Sequence, residues 1–236
     1  MIIPVFNEVD SITALLVEIT TSLKDHDYEL VVVDDASTDG TLARLISYRA
    51  TEARGLRIVQ HQSNYGQSTA IHTGVQTARG PWIVTLDGDG QNDPDDITKL
   101  LAARDRATGQ TNLQMICGYR RRRQDSFFKR ASSMVANSVR RTLLRDATPD
   151  TGCGLKLFNR QAFLELPYFD HMHRFLPALI QRGGGTTLSV EVNHRPRQHG
   201  QSNYGFHNRL WVGLIDLFGV AWLQWRAKHT DYKELD

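Results

Sequence analysis

Two carboxylates and a carboxamide alternate with glycine in the segment Asp87-Gly88-Asp89-Gly90-Gln91. Carboxylate and amide oxygens are the ligands that Mg²⁺ and Mn²⁺ prefer, and from a tight turn all three can converge on one cation. Such a cation keeps coordination sites for the oxygens of a diphosphate, and the small glycines allow a ligand to approach the backbone closely. The spacing predicts a site for Mg²⁺ or Mn²⁺ with Asp87, Asp89 and Gln91 as ligands.

The predicted metal segment follows an apolar run, residues 81–86, that is typical of a buried strand. Two more polar clusters follow predicted strands, namely Asn7-Glu8 and Asp34-Asp35. Any one of these clusters is more simply interpreted as a set of turn residues or helix caps. Ligands of open α/β sheets bind outside the carboxyl ends of the strands, however, so three clusters in register predict one shared cleft.

Apolar β-branched runs alternate with segments of helical periodicity along most of the chain. This pattern predicts an α/β fold, a mostly parallel sheet flanked by helices, followed by a C-terminal amphipathic helix. The first strand begins so abruptly at Met1 that it could be clipped. The predicted strands are residues 1–6, 28–34, 57–61, 81–86, 115–118, 155–158 and 187–192, and the predicted helices are a first one capped near Asp10 or Ser11, then 41–53, 67–78, 95–106 and a basic one at 126–145.

Composition excludes several classes of function. The chain has 236 residues and a net charge of +2, which does not predict a nucleic-acid partner. Its two cysteines, Cys117 and Cys153, are too few for a disulfide framework and fit a reducing compartment. The sequence does not open with a signal peptide, so we expect a cytoplasmic location. The nine histidines show no metal-ligand spacing, and no nucleophile elbow is present.

The C-terminal segment 210–225 carries a single charged residue, Asp216, and three of the four tryptophans. As a helix it would span about 24 Å, which is short of the roughly 30 Å hydrocarbon core, so a transmembrane helix is disfavoured. Two interpretations stay open: a helix in the membrane interface flanked by Arg209, Arg226 and Lys228, or a helix packed on its own domain or on another subunit. The residues predicted to share its apolar face are Trp211, Ile215, Phe218, Trp222 and Trp225.

Three motifs with matching spacing resemble those of family 2 glycosyltransferases with the GT-A fold. They are residues 3–8 (Ile-Pro-Val-Phe-Asn-Glu), 33–41 (Val-Asp-Asp-Ala-Ser-Thr-Asp-Gly-Thr) and 86–89 (Leu-Asp-Gly-Asp). The resemblance covers at least residues 1–205, which we interpret as the catalytic domain. Residues 206–236 are interpreted as the C-terminal amphipathic helix and tail.

Within this family the sequence looks most like the dolichol-phosphate mannose synthases and the bacterial undecaprenyl-phosphate sugar transferases. Residues 64–70, Gln91, the box at 150–156 and the box at 197–204 carry this likeness. The resemblance implies inverting transfer from a nucleotide diphosphate sugar, GDP-mannose or a UDP-sugar. The acceptor would be dolichyl or undecaprenyl phosphate, and the enzyme would be peripheral on the cytoplasmic face of the membrane.

The resemblance also implies roles for individual residues. Asp89, Asp150 and Arg197 are implied in catalysis, with Asp150 as a general base or as a group that positions the acceptor. Four consecutive arginines at 120–123 leave open which of them matches, and Asn203 stands where a lysine is more usual. Nucleotide-sugar binding would involve Pro4, Phe6, Glu8, Val33, Asp35, Gln67 and Asp87, and binding of the acceptor phosphate Arg120, Lys129, Arg130, Ser133 and Ser202.

The basic run at 120–130 has two interpretations, a solvated surface or a site that gathers a lipid phosphate. A phosphate acceptor is already anionic near neutral pH and needs little help from a general base, whereas an alcohol acceptor would need one. The amphipathic tail favours the lipid phosphate, because both features would then lie at a membrane surface or on a membrane partner protein.

Three alternatives remain. A saccharide hydroxyl could be the acceptor, but the Gln-x-x-Arg-Trp box of polysaccharide synthases is absent, since residues 223–226 read Leu-Gln-Trp-Arg. A nucleotidyltransferase would usually open with a glycine-rich phosphate loop, which residues 4–8 do not form. A non-catalytic nucleotide-sugar-binding protein would be expected to lose a metal carboxylate, and none is missing. The sequence leaves the oligomeric state open, a homo-oligomer included.

Overall fold

The computed structural model describes residues 1–53, 55–107, 109, 112–120, 140–196 and 206–228, with side chains in the last range from residue 212 onward. Its centre is a seven-stranded sheet in the order β3-β2-β1-β4-β6-β5-β7. The strands are β1 (Ile2–Val5), β2 (Leu30–Asp34), β3 (Leu56–Gln60), β4 (Trp82–Thr85), β5 (Leu113–Arg120), β6 (Lys156–Asn159) and β7 (Thr186–Val192).

All strands except β6 run in the same direction. Strand β1 pairs in parallel with β2 and β4, β2 with β3, and β5 with β7, whereas β6 is antiparallel to both β4 and β5. The carboxyl ends of β1, β2, β4 and β5 therefore share one edge of the sheet. The helices are α1 (Ile12–Ser22), α2 (Thr41–Thr51), α3 (Gln67–Thr77), α4 (Asp96–Arg106), α5 (residues 140–144), α6 (Arg160–Leu164), α7 (Leu176–Arg182) and α8 (Phe206–Trp225), with a 3₁₀ turn at Met172–Arg174.

Helices cover both faces of the sheet because its central strands are apolar on both sides. In β2, Leu30 and Val32 belong to one core, with α1, α2 and α4, while Val31 and Val33 belong to the other. The second core receives α3, α5, α6, α7 and α8. Near-continuous apolar strands are expected when a mostly parallel sheet is buried on both faces.

Local sequence accounts for the packing of individual helices. The apolar residues Ile12, Leu15, Leu16 and Ile19 of α1 are all buried, because their spacing puts them on one face of the helix. Helix α3 approaches the sheet at Gly74, where a Cβ atom would lie 2.5 Å from Cγ2 of Ile2. A glycine is therefore required inside this helix, although it costs up to about 1 kcal/mol relative to alanine in helix propensity.

The predicted strands and the first four predicted helices are confirmed, with ends that differ by a few residues. Of the predicted basic helix at 126–145, residues 140–144 are helical, and the preceding residues lie outside the described chain. Helices α6 and α7 were not predicted, because each is short and lies in the part of the chain where periodicity weakens.

Helix α8 packs on the second core through Leu217 and Val220, which are buried. Its side chain at Gln224 donates to the carbonyl oxygens of Leu144 and Ala178, at 3.0 and 3.1 Å. The helix is therefore fixed to its own domain by one face. Among the described residues, we find no helix with the length and apolar character needed to cross a membrane.

Candidate active site

The predicted metal segment forms the turn directly after β4, at the carboxyl edge of the sheet. The backbone N–H of Gln91 donates to Oδ1 of Asp89 at 3.1 Å, and the Ser11 hydroxyl donates to the carbonyl oxygen of Gly88 at 3.0 Å. A Cβ atom at Gly88 would lie 2.8 Å from Cγ1 of Val5, so only glycine fits between this turn and β1. These contacts fix the backbone from which Asp87 and Asp89 project.

Asp87 is a buried carboxylate whose surroundings disfavour its ionised form. Its Oδ1 accepts a hydrogen bond of 2.7 Å from the side-chain amide of Gln67, the first residue of α3. Desolvation, followed by the nearby Asp89 charge, raises the pKa of Asp87 to about 6, while the Lys156 and Arg120 charges and the Gln67 bond act in the opposite direction. The predicted metal ligand Asp87 and the predicted nucleotide-sugar ligand Gln67 are thus brought together.

Two residues of the 150–156 box lie beside Asp87 and were not given roles from sequence. Lys156 is buried, and its ammonium group donates to the carbonyl oxygen of Cys153. Gly154 leaves no room for a side chain, since a Cβ atom there would overlap the Asp87 carboxyl group. Lys156 lies at the start of a mostly apolar strand, and a buried lysine needs a negatively charged or hydrogen-bonding partner. The sequence indicates this need but does not identify the partner.

The donor set at this turn fits a hard divalent cation. Desolvation and, after it, repulsion by the Asp89 charge raise the pKa of Asp87, and a cation bound there would favour the ionised form of both carboxylates. Gln91 supplies an amide oxygen, which Mg²⁺ and Mn²⁺ accept. In the described part of the chain, no group of three or more His, Cys, Asp or Glu side chains is gathered for metal binding.

Asp35, at the end of β2, anchors the loop that leads into α3. Its carboxylate accepts from the backbone N–H groups of Tyr65 and Gly66, at 2.9 and 2.7 Å, and lies 2.7 Å from Nδ1 of His61. The opposite ring nitrogen of His61 lies 2.9 Å from the hydroxyl of Thr73. Asp35 thereby connects the β2 end to the N-terminus of α3, where Gln67 contacts Asp87.

The remaining residues predicted to hold the nucleoside differ in their access to the cleft. Pro4, Phe6 and Glu8 are partly exposed along β1 and the loop that follows it. Glu8 is fixed there, since its N–H donates to the Thr41 hydroxyl at 2.9 Å and its carboxylate accepts from Ser11. Val33 is fully buried in the second core. Its side chain cannot touch a nucleoside, so the prediction holds for Val33 at most through its backbone.

A further histidine, not singled out from sequence, lies next to the α3 N-terminus. Nδ1 of His173 is 2.7 Å from the hydroxyl of Ser68, which also accepts from the His173 backbone N–H at 3.3 Å. Desolvation, with the nearby Lys156 charge, holds the pKa of His173 well below its ordinary value. A neutral imidazole therefore supports the start of the helix that carries Gln67.

Arg120 and Asp150 form a bidentate ion pair beside the metal turn. Nε and Nη2 of Arg120, the last residue of β5, donate to the two carboxylate oxygens of Asp150 at 2.6 and 3.1 Å. The side chains are 12% and 7% exposed, so the pair is largely removed from water. Desolvation acts to lower the pKa of Arg120, but the Asp150 carboxylate holds it above the ordinary value. The predicted acceptor ligand and the predicted base thus bind each other.

The other predicted acceptor and phosphate ligands lie outside the described residues, namely Lys129, Arg130, Ser133, Arg197 and Ser202. The chain that precedes residue 197 is bound to the metal turn. The backbone N–H of Arg195 donates to the carbonyl oxygen of Gln91 at 2.9 Å, and His194 bridges to Asn92. Arg195 also forms ion pairs with Glu18 and Asp93, at 2.5 and 2.8 Å.

Comparison with known proteins identifies the family. Residues 1–166, which include β1, β2, β4 and the turn at 87–91, match the sequence profile of glycosyl transferase family 2. The chain belongs to this family. The fold agrees, because a mannosyltransferase from Pyrobaculum calidifontis, solved with GDP-Man and Mn²⁺, superposes with a TM-score of 0.66 at 22% identity over 93% of this chain and 62% of its own.

A second structure with a similar fold is glucosyl-3-phosphoglycerate synthase from Mycobacterium tuberculosis, solved with Mn²⁺, uridine diphosphate and phosphoglyceric acid. Its TM-score is 0.69 at 17% identity, over 97% of this chain and 78% of that one. The prediction of a GT-A glycosyltransferase fold is thus confirmed. At sequence identities of 22% and 17%, these similarities establish the fold alone.

The chain is also similar in sequence to curated sugar transferases whose names specify polyprenyl phosphates. The chain is 34% identical to dodecaprenyl-phosphate galacturonate synthase from Rhizobium johnstonii, over 97% of this chain and 68% of the relative. It is 33% identical to undecaprenyl-phosphate 4-deoxy-4-formamido-L-arabinose transferase from Aeromonas hydrophila, over 87% of this chain and 62% of the relative. The resemblance predicted from the motifs is confirmed, and the chain spans about two thirds of the length of these relatives.

Proposed function

We propose that this chain transfers a sugar from a nucleotide diphosphate sugar to a polyprenyl phosphate at a membrane surface, with inversion at the anomeric carbon. The observation that carries the proposal is the juxtaposition of the Asp87–Asp89 turn with the Arg120–Asp150 pair at one edge of the sheet, close enough for the Arg120 charge to act on Asp87. One cleft thus offers carboxylates for a metal diphosphate and a guanidinium for an acceptor phosphate.

The donor would bind along the carboxyl ends of β1, β2 and β4. Asp87, Asp89 and Gln91 would hold Mg²⁺ or Mn²⁺, which, when bound, neutralises charge on the departing diphosphate. Gln67 orients the Asp87 carboxylate through its 2.7 Å hydrogen bond. The nucleoside would lie between the residue 4–8 segment and Asp35.

Transfer itself would be a single displacement. An oxygen of the acceptor phosphate attacks the anomeric carbon as the bond from that carbon to the diphosphate oxygen breaks, and the nucleotide diphosphate leaves. An acceptor phosphate carries no proton that must be removed at neutral pH, so this route needs no general base. The two sugar transferases named above are relatives whose names specify dodecaprenyl and undecaprenyl phosphates, which supports this acceptor class.

The ion pair suggests how Asp150 would act. A carboxylate that accepts two hydrogen bonds from a guanidinium is stabilised in its ionised form and is a weak base. Asp150 would therefore act as a positioning residue that orients Arg120 toward the acceptor, instead of removing a proton. Arg197 and Ser202 would contact phosphate, and Lys129, Arg130 and Ser133 would contact the acceptor, as the family resemblance implies.

We propose a peripheral position on the cytoplasmic face of the membrane, and the surface of α8 supports its peripheral part. Four side chains of α8, three of them aromatic, form an exposed apolar surface that we call the aromatic stripe. They are Ile215, Phe218, Trp222 and Trp225, with exposed fractions of 70, 64, 58 and 83%. Helices that lie in the interface carry such a face of Trp, Phe and aliphatic side chains.

A direct experiment is a screen of radiolabelled nucleotide sugars with undecaprenyl phosphate or dolichyl phosphate, with EDTA or with added Mn²⁺ or Mg²⁺. We expect one labelled polyprenyl-phosphate sugar, formed only with a divalent cation. Asp89→Ala should lower the rate by about 10³-fold or more, as expected when electrostatic stabilisation of a leaving group is lost, whereas the exposed Asp10→Ala should not. Full activity of the Asp89 variant, or no labelled polyprenyl-phosphate sugar from any of the donors, would contradict the proposal.

A further inference from the structure

A cleft of about 520 Å³ lies between α5, α7 and α8, outside the candidate active site. Its volume is within the range of small-molecule sites in proteins. No acidic side chain lines it among the described residues. The residues that give the cleft its chemistry are Leu143, Arg145, Gln181, Arg182, Gln224 and Trp225.

The walls of this arginine cleft are held in place by hydrogen bonds between the three helices. Gln224 joins α8 to Leu144 and to Ala178, as described above. Nε of Arg182 donates to the carbonyl oxygen of Leu223 at 3.0 Å, which in the described chain uses one of the five N–H donors of the guanidinium. The cleft is therefore preformed, and Arg182 is fixed beside it with donors to spare.

The second arginine, Arg145, projects from a constrained turn. It is exposed, and its backbone has a φ of 51°, a left-handed conformation that residues other than glycine rarely adopt. The turn is held by the buried pair Arg140–Asp146 and by the Thr148 N–H, which donates to Asp146 at 2.8 Å. Residues kept in such conformations by their surroundings are concentrated at functional sites.

Arg182, on one wall of the arginine cleft, lies at the edge of the sheet opposite the active site. Arg182 ends α7 just before β7, and the carboxyl end of β7 leads to Asn193, whose N–H binds Asp96 next to the metal turn. Trp225 belongs both to the cleft wall and to the aromatic stripe. A stripe that inserts into the membrane interface would therefore bring the two arginines to the level of the lipid headgroups.

We infer that the arginine cleft binds the phosphodiester headgroup of an anionic phospholipid, distinct from the acceptor phosphate of the active site. Arginine recognises phosphate oxygens through paired N–H donors, and Gln181 and Gln224 offer amides for the glycerol part of a headgroup. Charge complementarity and the adjoining stripe favour a bilayer lipid over a free phosphate. The inference rests on the proposed membrane position of α8.

The test measures partitioning of the full chain into vesicles of phosphatidylcholine alone and of an equal mixture with phosphatidylglycerol. Arg145→Gln and Arg182→Gln should each lower partitioning into the anionic vesicles about fivefold, the effect of roughly 1 kcal/mol per basic residue near an anionic surface. Partitioning into the neutral vesicles should not change. Arg49→Gln, an equal charge change on the exposed side of α2, is the matched control and should behave as the wild type.

Three further outcomes would overturn the inference. Equal losses for Arg49→Gln would assign the effect to net charge. Binding of inorganic phosphate as tight as that of the lipid, measured by calorimetry, would assign the cleft to a free anion. Dimers that dissociate on Arg145→Gln would assign it to a second copy of the chain. Because Arg182→Gln loses the bond to Leu223, Arg182→Lys is included, and it should retain more anionic-lipid binding than the glutamine variant if charge matters.

The same experiment separates this inference from the proposed transferase activity. Vesicle binding needs neither sugar donor nor polyprenyl phosphate, and transfer can be assayed in detergent without anionic lipid. Loss of lipid selectivity with normal transfer in detergent is the expected behaviour of the Arg145 variant. If the wild type shows lipid selectivity that depends on both arginines but no transfer occurs, the proposed function is wrong and the headgroup site stands.

Discussion

Gly154 lies so close to the carboxyl group of Asp87 that a Cβ atom at this position would overlap it. The two residues flank neighbouring strands: Asp87 follows β4, and Gly154 precedes β6, the antiparallel partner of β4. The carbonyl oxygen of Gly154 also accepts from the hydroxyl of Thr85 at 2.9 Å, which fixes its backbone. The position of the metal carboxylate therefore depends on the absence of a side chain at residue 154.

Gly154→Ala should displace Asp87 and weaken divalent cation binding without unfolding the chain. Because a misplaced catalytic group costs on the order of 100-fold in rate, we expect transfer to fall by about that factor and the Mn²⁺ concentration for half activity to rise. Gly55→Ala is the matched control, since no atom lies within 4 Å of a Cβ built there. An Mn²⁺ titration of transfer that is the same for both variants would show that Gly154 does not position the metal ligand.

Asp87 should make the metal-free protein less stable at neutral pH than at low pH. Its pKa is raised from 3.8 to about 6, so the contribution of the protonated form is complete below 3.8 and is lost as the pH rises to about 6. The change corresponds to at most about 3 kcal/mol. Asp87→Asn removes the charge, and urea unfolding in EDTA should show the variant to be more stable than the wild type at pH 8, with no such gain near pH 4.

The control for this stability effect is Asp10→Asn, at an exposed position before α1. It should leave the difference between pH 4 and pH 8 unchanged. Saturating Mn²⁺ should reverse the order at pH 8, because ligand bound only to the native state stabilises it and the wild type binds the metal more tightly. Equal stabilities of wild type and Asp87→Asn at every pH in EDTA would contradict the assigned desolvation of Asp87.

The Arg120–Asp150 pair gives a test of whether Asp150 positions or deprotonates. If Asp150 orients Arg120, Asp150→Asn and Arg120→Lys should each raise the acceptor KM about tenfold with the donor KM unchanged. Their effects should not add in the double variant, because both remove the same bidentate interaction. If Asp150 were a general base, its loss would lower kcat by 10²- to 10⁴-fold and abolish one limb of the pH profile.

The matched control for the ion pair is Arg140–Asp146, whose side chains are 8% and 1% exposed. Breaking either pair leaves a charge without its partner and should lower stability by about 3 kcal/mol or more. Arg140→Gln should therefore unfold at lower urea concentration without a selective change in acceptor KM. A rise in acceptor KM for Arg140→Gln equal to that for Arg120→Lys would assign the kinetic effect to general loss of stability.

The first half of the fold could be predicted because its signals are local. The run Val31-Val32-Val33 and the spacing of Ile12, Leu15 and Ile19 specify a buried strand and an amphipathic helix without knowledge of their neighbours. Aspartates at the strand ends predict the cleft because parallel strands share an edge. The insertion of antiparallel β6 between β4 and β5 depends on pairings distant in sequence and was not predicted.

The sequence predicts residues for the candidate site, but not which of their side chains form hydrogen bonds or ion pairs with each other. The sequence predicts roles for Asp87, Gln67, Arg120 and Asp150. The bond from Gln67 to Asp87 and the pair of Arg120 with Asp150, however, connect residues 20 and 30 positions apart. Val33 is a different case, because its side chain is buried in the second core and only its backbone is left for contact with a nucleoside. The 33–41 motif contains both this core residue and the polar Asp35. Successive side chains of a strand point to opposite faces of the sheet, which places the Val33 side chain in the core.

The aromatic stripe should drive association with neutral bilayers independently of the arginine cleft. Trp222→Ser and Phe218→Ser each remove an exposed aromatic side chain, so partitioning into phosphatidylcholine vesicles should fall by about tenfold or more, given about 1.5–3 kcal/mol for burial of a large apolar side chain. Ile46→Ser is the matched control, because Ile46 is an isolated exposed side chain of α2, 46% exposed, on the other side of the sheet. Unchanged partitioning of both stripe variants would instead assign this face of α8 to a protein partner, and equal losses for Ile46→Ser would show that association is not confined to the stripe.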